Sequence, residues 1–416
     1  MLLRARIVLP VCTPPIENGV VRVAQGRIQT LGRWGEIIPI SGEATMDLGE
    51  SILLPGLINA HCHLDYTDMA GQIAPPKTFP DWIKAIVAMK AAWSYSDFAR
   101  SWANGAKMLL RSGVTTVVDI EAVPELLPEA WSLTPLRVIS LREIISLKKT
   151  PESESHRYGP AVSQWYALQH PAGLTGLSPH APYTTTADLL RWCSRFSVSD
   201  NWLLSTHVAE SQEEFEMFRN ASGAMYEWLK TQRDMSDCGK SSPVQHLERC
   251  GYLSKRLIAV HANYLDEGDA DLLARRGVHV AHCPRSHEYF GHAQFPFDVL
   301  SKAGVNICLG TDSLASVKKE RGRALELDLF AEMRGFAAAF PSAPPENILR
   351  MVTMNAARAL MRSGELGQLS PNAFADMIAL EYTGSIEDAR SALLQSKPRL
   401  VATMINGTLL DQGLPA

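Results

Sequence analysis

The chain is expected to fold as an α/β protein: a (β/α)8 barrel of the TIM type, joined to a small discontinuous β-sandwich built from both chain ends. Three observations predict this. Short apolar runs recur eight times between residues 52 and 309, separated by stretches of helical periodicity. No Gly-rich phosphate loop follows any of these runs, which argues against an open dinucleotide-binding sheet. Residues 1–53 and 366–416 share a different texture, of short strands and turn dipeptides.

In chain order, 5–9, 19–24 and 27–32 read as strands, with Asn18-Gly19 and Gln25-Gly26 as turns between them. Residues 376–380 and 401–405 read the same way, the latter running into an Asn406-Gly407 turn. Neither end has enough apolar surface for its own core, so the two are expected to meet as one domain, 1–53 plus 366–416, leaving 54–365 as the catalytic barrel. The barrel strands are expected at 52–60, 115–120, 137–144, 173–178, 202–206, 256–260, 278–281 and 306–309. Helical patterns such as 97–111, 186–196, 270–276 and 325–336 lie between them. The segments 65–83 and 146–159 are longer than a connection needs, and long loops at barrel strand ends usually cover the site.

Composition narrows the function. Apolar residues make up 46% and charged residues 20% of 416, as in an ordinary globular protein. A net charge of -4 gives no basic footprint for nucleic acid, and no apolar run is long enough for a membrane span. Arg4 and Arg6 interrupt the N-terminal strand where a secretory signal would be apolar. The seven cysteines are scattered without CxxC spacing, as expected of buried free thiols in a reducing cytoplasm.

The polar residues keep a phase with the apolar runs. His61 and His63 end the first, His180 the fourth, His207 the fifth, His261 the sixth, His282 the seventh and Asp312 the eighth. Residues i and i+2 of a strand face the same way, so His61 and His63 can grip one ion, while Cys62 between them points away into packing. Seven metal-capable side chains at the C-terminal ends of six strands would face one pocket at the top of a barrel.

These residues resemble the amidohydrolase superfamily, in its deaminase and chlorohydrolase branch. The resemblance rests on Pro55-Gly56-Leu57-Ile58-Asn59-Ala60-His61-Cys62-His63, Ser178-Pro179-His180-Ala181-Pro182-Tyr183, His207-Val208-Ala209-Glu210-Ser211, His261, His282-Cys283-Pro284 and Gly310-Thr311-Asp312-Ser313. It implies that His61, His63, His207 and Asp312 hold one divalent metal ion, zinc in the first instance and iron as the alternative. Two-metal members resemble a pattern with a bridging Lys on the fourth strand, and no Lys occurs from Thr150 to Leu229.

Roles follow from chemistry and from the resemblance together. Water attacking an amidine-like carbon must lose a proton while the ring nitrogen gains one, which suits Glu210, three residues past His207. The alternative is that Glu210 merely begins the next helix, as Glu213 and Glu214 are read to do. His261 would polarise the leaving side of the attacked carbon or orient the hydroxide, Asp312 would relay a proton to the departing amine, and His180 would touch substrate. His282 stays outside the metal set. The chain departs from the branch at Pro284-Arg285-Ser286-His287, where many deaminases have Asn, so His287 is expected to shape substrate choice. Arg142 on the third strand would hold an anionic group if it faces the pocket, with Glu143 taking an amine or hydroxyl; otherwise the two form a rim ion pair. Tyr66, Phe79 and Trp82 either stack a heterocycle or pin down the long first loop.

The expected function is a metal-dependent hydrolytic deaminase that releases ammonia from a small heterocycle, an aminopurine or a nucleoside derivative. The alternatives are an s-triazine chlorohydrolase or aminohydrolase, or a cyclic-amide hydrolase, on the same site. A catalytically silent binding barrel is the third reading, and the intact set of His61, His63, His207 and Asp312 argues against it. Homo-oligomerisation suits the family, although no residue locates an interface.

Overall fold

The computed structural model describes residues 1–410 apart from 124, 126, 149–151, 168–174, 200, 320, 321 and 323. Parts of three expected segments therefore lie outside the described residues: Gly173 and Leu174 of the fourth strand, 149–151 of the third loop, and 411–416 of the C-terminal unit.

Eight strands form the barrel: Leu57–Cys62, Val114–Glu121, Arg137–Ile144, Thr175–Pro179, Leu203–Val208, Leu257–His261, His279–His282 and Asn306–Leu309. They pair in parallel and in sequence order. The eighth returns to the first through a parallel bridge between Cys62 and Asp312. Alternation along each strand divides the apolar side chains. Ile58, Ala60, Val118, Ile120, Ile139, Leu141 and Val260 fill the barrel interior, while Val117, Val138, Leu204, Ala259 and Val280 belong to the layer beneath the surrounding helices.

The run expected as one strand over 52–60 divides at Gly56. Ser51–Pro55 pairs antiparallel with Met377–Glu381 in the sheet of the chain ends, and the barrel begins only at Leu57. A Cβ on Gly56 would lie 2.1 Å from Thr115 Oγ1, so glycine is what lets the chain pass between the sheets. The two chain ends do meet, in a single eight-stranded hydrogen-bonded sheet rather than two facing sheets. One set of its side chains, including Ile7, Ile52, Leu54, Ile378 and Leu380, joins the large cluster shared with the barrel helices. The alternate set, including Leu3, Val21, Leu53, Met377 and Met404, makes a core of its own.

Two of the three expected turns form. Gln25-Gly26 (φ 52° and 73°) and Asn406-Gly407 (φ 51° and 76°) both take the left-handed conformation of a two-residue hairpin. Asn18-Gly19 does not turn the chain; it lies inside Ile16–Ala24, with Asn18 at φ 48° and Gly19 paired with Ala5 and Arg33. A Cβ on Gly19 would meet Val8 Cγ2 at 2.5 Å, so the glycine serves close strand contact. The expected helices appear as Tyr95–Arg111, Ala187–Ser199, Asp269–Arg276 and Leu329–Ala339. The last starts later than residue 325 because the Asp328 carboxylate accepts the amides of Phe330 and Ala331 as an N-cap. Among the described residues no helix is long and apolar enough to cross a membrane.

Candidate active site

The strand-end histidines converge. His61, on the first strand, is fully buried, and both of its ring nitrogens lack a hydrogen-bond partner. Its Nε2 is 3.6 Å from Asp312 Oδ1, and that of His63 is 3.8 Å from the same oxygen. The other oxygen, Oδ2, accepts from Ser286 Oγ at 2.7 Å and Ser316 Oγ at 3.0 Å, which fixes which edge of the carboxylate meets the imidazoles. His207 Nδ1 donates to the His180 carbonyl at 2.9 Å, a bond that leaves its Nε2 lone pair facing His63 Nε2 at 3.3 Å. Two trios, His61–His207–His261 and His61–His63–Asp312, each bring their ligand atoms within 4.8 Å of one another.

Orphaned buried polar atoms are costly, and His61, His63 and His261 all carry them here. A divalent ion among the imidazole nitrogens and Asp312 Oδ1 would satisfy the orphaned Nε2 of His61, so these residues fit the metal their chemistry implies. The backbone is strained at the same place. His261 (φ 73°), Ala262 (49°), Ala209 (51°) and Asp312 (52°) are all left-handed without being glycine.

Glu210 stands over this group, its Oε1 3.5 Å from His261 Nε2. Burial, reinforced by the charges of Asp312 and Glu214, holds its carboxyl well above the ordinary range, and burial lowers His261 to about 3. The two neighbouring acids have separate tasks. Glu213 accepts the Phe79 amide at 3.0 Å, and Glu214 accepts the amide of Glu210 itself at 2.9 Å. Both lie in the first turn of the helix Gln212–Asn220, capped by Ser211, whereas Glu210 precedes the helix and points at the imidazoles.

A profile of the amidohydrolase family matches residues 52–410. The chain belongs to the amidohydrolase family. Among curated relatives of this amidohydrolase, the 5-methylthioadenosine/S-adenosylhomocysteine deaminase of Syntrophobacter fumaroxidans is 30% identical over 88% of this chain and 80% of its own. Of solved structures, the aminofutalosine deaminase of Helicobacter pylori bound to methylthio-coformycin superposes with a TM-score of 0.87 at 20% identity, covering 99% of this chain and 100% of that one. An atrazine chlorohydrolase mutant of Arthrobacter aurescens, complexed with zinc and atraton, gives 0.82 at 21%, covering 98% and 94%.

The amidohydrolase site differs from expectation at the third strand. Arg142 does not reach the imidazoles: its Nη1 donates to the Ala161 carbonyl at 3.3 Å, on the helix Glu154–Ala167 outside the barrel. It shares a face with Val138, which packs outward, whereas Glu143 shares one with the interior residues Ile139 and Leu141. Glu143 lies 3.9 Å from Lys90 on the helix Phe79–Ala92, so the inward charge is negative. His180 is anchored through Nδ1 to Thr184 Oγ1 at 2.7 Å, with its ring 5.0 Å from that of His207. His287 bonds through Nδ1 to Asn263 Oδ1 at 3.1 Å, and Asn263 Nδ2 donates to the Glu210 carbonyl at 2.9 Å. His282 stacks on Phe295 at 3.9 Å, away from the metal-capable trios.

Sequence reasoning passed over Asn263, Ser286 and Ser316, the residues that hold Glu210 and Asp312 in place. Asn263 stood two residues beyond His261, the same-face spacing that singled out His61 and His63. Tyr66, left between two roles, stacks on His63 with ring centroids 5.1 Å apart and planes at 5°.

Proposed function

We propose that this amidohydrolase is a metal-dependent hydrolytic deaminase acting on an aminopurine nucleoside altered at its 5′ position. The observation that carries the reading is the buried Glu210 beside His261, set over a cluster of metal-capable imidazoles and Asp312. The name of the 30%-identical relative supports the substrate class. His61, His63, His207 and Asp312 would hold one divalent ion, with zinc favoured because it is present in the chlorohydrolase complex. When bound, the ion would lower the pKa of water and supply a nucleophile near neutral pH.

The chain's own residues then manage the protons. Glu210 takes one proton from the attacking water and delivers it to the ring nitrogen beside the reacting carbon. Burial, which raises its affinity for a proton, makes it a stronger base than an exposed carboxylate. His261 Nε2, kept unprotonated by burial, orients the attacking oxygen. Asp312 takes the second proton and passes it to the exocyclic amine; the carbon–nitrogen bond breaks, ammonia leaves, and a ring carbonyl remains. His180, held by Thr184, presents its free ring edge to the substrate.

Ammonia release by zinc-loaded protein tests the reading against 5′-substituted adenosines, free aminopurines and amino-triazines, with chelated protein as control. Ammonia from the adenosines is expected, and Glu210→Gln should retain metal while losing turnover about 100-fold or more. Chloride or alkylamine released from triazines, with no ammonia from any purine, would replace the proposal by the dechlorinating alternative.

A further inference from the structure

One short helix reaches both carboxylates of the site. Pro284–Phe290 follows the seventh barrel strand, and two consecutive residues on it serve different partners. Ser286 Oγ donates to Asp312 Oδ2 at 2.7 Å. His287 Nδ1 meets Asn263 Oδ1 at 3.1 Å, and Asn263 Nδ2 donates in turn to the Glu210 carbonyl at 2.9 Å. Successive helix positions stand about 100° apart, so one turn can address both targets. The helix is itself tied down: the Arg285 amide donates to Glu332 Oε2 at 2.9 Å, and Tyr289 Oη donates to the Ile73 carbonyl at 3.2 Å.

Donors and acceptors fix one arrangement of the path to Glu210. A carbonyl only accepts, so the Asn263 amide turns its nitrogen to Glu210 and its oxygen to His287, and the imidazole carries its proton on Nδ1. The backbone beside this path is strained, with Ala209 (φ 51°), His261 (73°) and Ala262 (49°) all left-handed. Such residues persist only where their surroundings over-determine them. Here the ends of the fifth and sixth strands are joined by Ala262 N to Val208 O and Asn263 N to Ala209 O, both at 3.0 Å. The Asn263 side chain extends that ladder by one residue, to Glu210.

We propose that His287 is a positioning residue for Glu210, acting through Asn263, so that the helix Pro284–Phe290 sets the spacing of the two carboxylates that handle the protons of the reaction. The inference rests on the deaminase reading above and assigns His287 to rate instead of the substrate choice expected from the sequence.

The test uses zinc-loaded full-length protein and 5′-methylthioadenosine. His287→Phe keeps a ring and loses the Nδ1 donor; it is expected to lower kcat about tenfold, with KM within about twofold of the parent and the metal retained. His287→Asn is the rescue, because its amide nitrogen stands where Nδ1 stood, and should recover most of the loss. In Asn263→Leu the path is already cut, so adding His287→Phe should cost little more. Hydrogen exchange over residues 208–214 reads the brace without turnover: it should quicken in His287→Phe and return to the parent rate in His287→Asn. A changed KM or ranking of purines with kcat kept would overturn the proposal in favour of substrate choice. Equal losses in the Phe and Asn variants would overturn it in favour of packing, and losses that multiply in the double variant would make the two residues independent. Should Asn263→Leu fail to fold, the two His287 variants decide alone. Silence of the parent towards every purine would defeat the deaminase reading instead, and the exchange pattern then decides the brace.

Discussion

Glu214 is fully buried, one of its oxygens accepts the Glu210 amide and the other has no partner. Burial raises its pKa to about 8, although the amides it accepts from pull the other way. The folded protein therefore holds a proton on Glu214 that the unfolded chain releases near the ordinary value of 4.5. This contribution to stability is complete below that value and is lost as pH rises towards about 8. In Glu214→Gln the site cannot titrate. The difference in unfolding free energy between the two proteins should drift by up to about 1.4 kcal/mol per pH unit across that window, with the variant gaining relative to the parent as pH rises. Urea titrations at several pH values read it, and curves that stay parallel would place the proton elsewhere. At this scale the sequence displayed donor types but not their neighbours. His61, His63, His207, His261 and Asp312 were visible because strand ends announce themselves as the close of an apolar run. For Arg142 parity decides what charge left open: even-numbered positions of that strand face the helices, and Glu143 takes the inward place. Ser286 and Ser316 carry no signal of their own, since a hydroxyl becomes a carboxylate clamp only through tertiary contact.

Strands and helices were legible where one period governs a run, and their ends were not. The break at Gly56, the late start at Asp328 and the unturned Asn18-Gly19 all depend on what another segment places opposite. The same dependence makes one glycine critical to barrel closure. Gly310 follows the eighth strand and lies against the first, where a Cβ would meet His61 O at 2.7 Å and His61 N at 2.9 Å. These are backbone atoms, and His61 O already accepts the amides of Thr311 at 3.0 Å and Asp312 at 3.2 Å. Gly310→Ala must push the two strands apart. We expect a loss of about 1–3 kcal/mol of stability, as for other overpacked sites, together with weaker metal retention because His61 and Asp312 move relative to each other. Metal content after gel filtration, measured beside a denaturation curve, separates the two effects. A variant that keeps full metal and stability would show that closure tolerates the extra carbon.

At the scale of the whole molecule, the barrel and the sheet of the chain ends are joined by a pair the sequence could not reveal, because its members lie far apart in the chain. Arg137 opens the third barrel strand, and its Nε and Nη2 donate to Asp376 Oδ2 at 3.1 Å and Oδ1 at 3.3 Å, just before the strand Met377–Glu381. The Asp376 carbonyl accepts the amide of Gly56 at 2.9 Å, at the point where the chain crosses from sheet to barrel. The side chains are 13% and 4% exposed, so the pair is largely screened from water. Removing one charge leaves the other buried and unpaired. Asp376→Asn should therefore cost roughly 3 kcal/mol, more than an exposed pair would. The form of the transition is as informative as its midpoint. Ile7, Ile52, Leu54, Ile378 and Leu380 of the terminal sheet belong to the same apolar cluster as Trp102, Leu109 and Val117 of the barrel and its helices, so neither part can leave without exposing the other. Asp376→Asn should lower the midpoint of one cooperative transition, followed by far-ultraviolet circular dichroism and tryptophan fluorescence together. Two separated transitions would mean that the barrel keeps its fold after the sheet has melted, and that the shared apolar face contributes less than its burial implies.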